Sequence, residues 1–150
     1  MRVSALYRYP VKSLGGERLP EIVAAERGFG DDRRWMLVDT SGQFISQRQH
    51  HHLTTISASI AGPSGLRLER IGESAGGITV AEARPDAEPD ITVTVWDDTF
   101  PACLVAAPGL PELVGIPDVQ LVYMNERVHR PVDPRYAPGE EVSFADGYPY

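Results

Sequence analysis

Fourteen glycines and thirteen prolines are spread over 150 residues. That density of breakers argues for many short elements and against a helical bundle. The apolar pattern agrees. Trp35 and Leu37 alternate with Met36 and Val38, and Ile56, Ala58 and Ile60 alternate with Ser57 and Ser59. Ile91, Val93 and Val95 point one way with Thr92 and Thr94 the other. Period-two patterning of β-branched and aromatic residues is the signature of half-buried strands.

Strands are expected at residues 3–7, weakening at Pro10, and in the apolar stretch 19–25, which Gly28 and Gly30 end. A hairpin is expected from 34–39 to 43–47 across the turn residues Asp39, Thr40, Ser41 and Gly42, and a second from 54–60 to 66–69. Residues 71–90 read as a loop around a short strand at 78–80. Further strands fall at 91–96, 99–105 and 119–124. One short helix is expected at 110–114, between Gly109 and Gly115. Residues 125–141, with Pro131, Pro134 and Pro138, read as an exposed connector, and 142–145 begin a last strand. The fold class is mainly β: a small antiparallel β-barrel-like domain with one short helix.

A chain of this length builds its own core as one domain. No apolar run approaches a membrane span, and no charged start leads into an apolar stretch. A single cysteine, Cys103, excludes an internal disulfide. A cytoplasmic location without membrane contact is the expectation. The formal charge is −7, but residues 1–70 hold ten basic against seven acidic side chains, net +3. The acidic total argues against nucleic acid as a partner, and the basic first part suits a small anion. Thirteen of the fourteen basic residues are arginine, and Lys12 is the lone lysine.

Tyr9, Pro10, Val11, Lys12 and Ser13, followed by Gly15 and Gly16, place a cation, a hydroxyl and two glycines at the end of a strand. That set suits a phosphate or similar oxyanion; the plainer reading is a surface lysine in a turn. Asp31, Asp32, Arg33 and Arg34 precede Trp35. Strand geometry would put Arg33 and Trp35 on one face, with either an arginine fork for an anionic ligand or an ion-paired strand start. His50 and His52 would share a face, two imidazoles without a third ligand, so solvated histidines are the better reading and no metal site is expected. Cys103, among apolar neighbours, reads as a packed side chain rather than a nucleophile. No catalytic residue is assigned.

Three motifs in order carry a family resemblance: Tyr9 to Ser13; Arg27, Gly28 and Phe29 through Asp32, Arg33, Arg34 and Trp35 to Val38; and Gly42 to Gln49. The chain resembles the N-terminal β-barrel region of MOSC-domain proteins, a family that includes the mitochondrial amidoxime-reducing component, bacterial N-hydroxylaminopurine reductases and the C-terminal region of molybdenum cofactor sulfurases. The segment 143–150 resembles the point where the MOSC domain proper begins. The resemblance implies a barrel domain at 1–124, a connector at 125–141 and the start of the MOSC domain at 142–150.

In the amidoxime-reducing members the corresponding lysine, serine and arginine contact the molybdenum cofactor, a pterin with a terminal phosphate. The resemblance thus implies cofactor-binding roles for Lys12, Ser13 and Arg33, and none for Arg48. The family's molybdenum-ligating cysteine lies further downstream, and Cys103 does not match it. The implied function is the cofactor-binding N-terminal half of a molybdenum enzyme that reduces N-hydroxylated compounds, inactive by itself and completed by a MOSC domain. The alternative is a stand-alone, non-catalytic barrel that binds a small anion or a protein partner. Residues 142–150, without that partner domain, are expected to be loose or to form an orphan edge.

Overall fold

The computed structural model describes residues 2–63, 65–73, 76–80 and 86–145. The strands are β1 (Leu6–Arg8), β2 (Val11–Lys12), β3 (Glu17–Leu19), β4 (Ala24–Ala25), β5 (Gly28–Phe29), β6 (Trp35–Val38), β7 (Ile56–Ala61), β8 (Gly65–Arg70), β9 (Ile78–Val80), β10 (Ile91–Val95), β11 (Asp98–Val105) and β12 (Gln120–Tyr123). A 3-10 turn covers His51–Thr55, and helix α1 covers Leu110–Val114. The protein is mainly β, with one short helix among the described residues, as the breaker density and alternation imply.

A five-stranded sheet runs in the order β10-β11-β12-β6-β2, and a three-stranded one in the order β7-β8-β9; β1-β3 and β4-β5 form two-stranded ribbons. Among these strands every pairing is antiparallel except β2 with β6, and two isolated bridges, Gly15 with Ser57 and Gln43 with Thr94, are also parallel. The large sheet curls back on itself through residues 42–45. The Phe44 amide donates to the Thr94 carbonyl at 3.0 Å and the Ile45 amide to the Leu37 carbonyl at 2.9 Å. These are isolated contacts, so the described residues form a barrel-like curl without a closed ladder. Gly42 sits at the curl with φ +81, and a Cβ there would meet the Thr92 carbonyl oxygen at 2.2 Å, so only glycine fits.

The alternation in β6 separates two cores. Trp35 and Leu37 pack with Val11, Leu53, Ile56, Leu68 and Leu121; Met36 and Val38 pack with Val93, Val95, Val122 and Phe144. Both faces of β6 are buried, which is why its run is apolar throughout. Each of these side chains contributes about 1.5–3 kcal/mol of burial. Helix α1 ends on Gly115 at φ 67, where the chain turns left-handed and the Gly115 amide donates to the Pro111 carbonyl at 2.8 Å. His52 Nε2 donates to the Val114 carbonyl at 2.7 Å, satisfying one of the helix's last acceptors.

Several expectations are corrected. Residues 43–47 make single bridges to β6 and β10 rather than a hairpin strand, because the chain turns at Ser46, whose carbonyl takes the amides of Gln49 and His50 at 3.0 Å. The stretch 19–25 divides between β3 and β4, broken at Pro20. The connector is not uniformly exposed: Asn125, Val128 and Arg130 are buried.

The segment 142–145, expected to be loose or to form an orphan edge, is buried at every residue. Phe144 stacks on Phe100 with ring centroids 5.8 Å apart. Arg130 donates to the carbonyls of Ser143 and Ala145, both at 2.9 Å, and pairs with Asp98 at 2.7 Å. The remainder of that expectation, 146–150, lies outside the described residues.

Candidate functional site

The parallel pair β2–β6 builds the site. Its register sets Val11 opposite Trp35 and Lys12 opposite Met36. Parallel strands enter from the same side, so the residues just before each strand also lie together. The Arg33 amide donates to the Tyr9 carbonyl at 2.7 Å, and the Trp35 amide to the Pro10 carbonyl at 3.1 Å. Two segments whose paired residues are 24 positions apart in sequence thereby meet at one end of the sheet.

Lys12 is 5% exposed, and its Nζ stands 4.9 Å from the Phe44 ring centroid, a cation–π distance. Ser13 follows in a turn closed by the Leu14 amide on the Val11 carbonyl at 3.2 Å. Ser13 is its third residue and has φ 71, the sign a type II turn demands at that position. Arg33 has φ 50, also left-handed, so it lies in a turn and does not share a strand face with Trp35. Two non-glycine residues held in the left-handed region beside one pocket are an observed strain of the kind that clusters at ligand sites.

Lys12, Ser13 and Arg33 line a single pocket of about 240 Å³ together with Tyr9, Val11, Leu14 and Gln47. Asp32 organises its wall. The Asp32 carboxylate is 4% exposed; Oδ1 accepts the Tyr9 amide at 2.8 Å and Oδ2 accepts Arg33 Nε at 2.6 Å. Sequence reasoning offered Asp32 only as an ion-pair partner, and its grip on the Tyr9 backbone was missed. The two glycines of the first motif serve packing instead of the pocket. The Gly15 amide donates to the Ile56 carbonyl at 2.7 Å, and a Cβ on Gly16 would meet the Arg8 carbonyl oxygen at 2.2 Å.

The other singled-out residues lie elsewhere. His50 and His52 face each other edge-on, 5.9 Å between centroids, at the 3-10 turn that leads into β7 rather than on a strand. Cys103 is buried, with the Asn125 side-chain amide 3.2 Å from its sulfur. Arg48 stands 5.1 Å over the Trp96 ring.

A wider cleft of about 820 Å³ is lined by Arg27, Arg34, Glu126, His129, Glu140 and Glu141 among others. There the His129 ring nitrogen at 2.6 Å, with Arg27 at 2.8 Å, holds the Glu141 carboxyl below its usual range. Its acids outnumber its arginines, and Arg34 is spent on the Met124 carbonyl and Glu126, so this cleft does not attract anions.

The fold and pocket together define a class: a small curled β domain with a lysine, a hydroxyl and an arginine gathered where the parallel pair β2–β6 begins. Residues 1–107 match the family model described as the MOSC N-terminal beta barrel domain, and the chain belongs to that family. The family is associated with the molybdenum cofactor. No curated protein sequence matches the chain. The family match ends before α1 and β12, yet β12 is the strand that joins β11 to β6.

Proposed function

We propose that this domain binds the phosphate-bearing end of a pterin cofactor at Lys12, Ser13 and Arg33, as the N-terminal half of a molybdenum enzyme acting on N-hydroxylated compounds. The observation that carries the reading is the convergence of these three side chains on one pocket. Two cations and a hydroxyl are the donor set for a phosphate monoester; Arg33 is ion-paired with Asp32 through Nε at 2.6 Å and Nη2 at 2.5 Å, which fixes the guanidinium and leaves its Nη1 for the ligand. The pocket is smaller than the ~300–1,000 Å³ clefts that enclose whole organic ligands, so it fits the charged end and leaves the ring system outside. The donors therefore fit the phosphate and supply no ligand for a metal.

The cofactor, when bound, supplies redox chemistry at its metal. The residues of this chain hold and orient its anionic end. The chain has one cysteine, which lies against Ala87 and Asn125 and does not line the pocket. On this reading the isolated domain carries no turnover, and a MOSC domain is the partner that completes the site. A cytoplasmic location belongs to the same reading.

The test is a comparison of two titrations followed by backbone amide shifts, one with a pterin phosphate and one with the unphosphorylated pterin. The phosphorylated compound moves the amides of Lys12, Ser13 and Arg33, and the unphosphorylated one leaves them still. Equal responses to both compounds would remove the phosphate from the account. Measured reductase turnover by the isolated domain would overturn the claim that it is half of an enzyme.

A further inference from the structure

We infer that Ser143 is a positioning residue for the Arg33 guanidinium, so that the buried strap 142–145 sets the anion affinity of a pocket it does not line. The inference rests on the anion-binding reading of that pocket. It begins with the strain at Arg33. A non-glycine residue at φ 50 relaxes toward the extended or right-handed regions unless its flanking peptides are held.

Three bonds hold them. The Arg33 amide is fixed on the Tyr9 carbonyl at 2.7 Å, and the Arg33 carbonyl accepts the Phe144 amide at 3.0 Å. The carbonyl just before it, that of Asp32, accepts the Ser143 hydroxyl at 2.9 Å. Two successive carbonyls are therefore pinned by two successive residues of the strap, across 111 positions of sequence. The side chain of the same residue, Asp32, carries the carboxylate that aims Arg33 Nε.

The strap is itself rigid. Ser143 is 1% exposed, Phe144 is in the core, and Arg130 holds the carbonyls of Ser143 and Ala145. Its bonds to the 32–33 peptides thus act as a fixed template. Loss of the Ser143 hydroxyl leaves the Asp32 carbonyl buried without that donor and lets its peptide tilt about the bond from the Arg33 amide to the Tyr9 carbonyl, which remains. Asp32 and the guanidinium then turn together, while Lys12 and Ser13, held by β2 and its turn, stay in place. A side chain held this way is pre-organised for a ligand instead of ordered by it.

The experiment compares the wild-type chain with Ser143→Ala. The readouts are the Arg33 Nε–H resonance without ligand and the affinity for inorganic phosphate. In Ser143→Ala the Arg33 Nε–H resonance shifts and its exchange with water quickens, while the amides of Lys12, Ser13 and Val93 keep their positions. Phosphate affinity falls about threefold to tenfold, the worth of one hydrogen bond. Ser143→Cys keeps the shape with a poorer donor and falls between the two; its intermediate response decides the matter if the alanine chain does not fold.

An unchanged Arg33 resonance together with unchanged affinity overturns the inference. If wild-type protein binds no phosphate, the pocket reading fails, yet the Arg33 resonance still reports whether Ser143 positions the guanidinium.

Discussion

Asp32 holds its chain neighbour Arg33 through Nε at 2.6 Å, and with its other oxygen it holds the Tyr9 amide at 2.8 Å. One buried carboxylate thus ties the turn before β6 to the residues before β2. In Asp32→Ala both donors lose their acceptor. A loss of about 1–3 kcal/mol in urea denaturation is expected. A loss below a few tenths would show that water replaces the carboxylate without cost.

Ser13 separates ligand binding from stability. Its φ of 71 suits glycine better than serine. Ser13→Gly is expected to leave stability unchanged or to raise it by up to about 1 kcal/mol, while phosphate affinity falls about threefold to tenfold. Equilibrium unfolding and a phosphate titration on the same variant check both halves. A destabilised chain with full affinity would mean that the hydroxyl serves the fold.

Phe144 tests whether the strap belongs to the core. It is fully buried and stacks on Phe100. Phe144→Ala is expected to cost about 3–5 kcal/mol in chemical denaturation. A cost under about 1 kcal/mol would match a loosely attached edge.

The fold was legible where it depends on local pattern. Trp35, Leu37, Met36 and Val38 alternate because each face of β6 has its own core, and Gly109 and Gly115 bracket the helix that forms between them. Strand order carries no such signal, so the parallel pairing of β2 with β6 was not visible. The candidate site shows the same division. Residue types offered Lys12, Ser13 and Arg33 only as one of two readings and the family resemblance assigned them, but their meeting depends on that pairing. The burial of Arg130 and Ser143 was hidden because polar side chains read as exposed until their carbonyl partners are known.

Glu141 gives the domain an acid-sensitive clasp. Its carboxyl sits below the ordinary value of 4.5, first through the His129 ring and then through Arg27. A lowered folded-state value adds stability that is fully present above the ordinary value and is lost as pH falls through the lowered one. As pH falls below 4.5, wild type is therefore expected to lose more stability than Glu141→Gln. Parallel denaturation series for the two chains measure the difference, and identical pH profiles would show that the clasp adds nothing.

The most direct test of the account is a titration of the isotope-labelled wild-type chain with inorganic phosphate at low and high salt. Two charge-assisted contacts on a partly open pocket correspond to a dissociation constant on the order of 1 mM. The account predicts that the amides of Lys12, Ser13 and Arg33 move together along one binding curve, and that added salt weakens it. Stationary resonances at these three residues, with shifts at Arg27 and Arg34 instead, would contradict it.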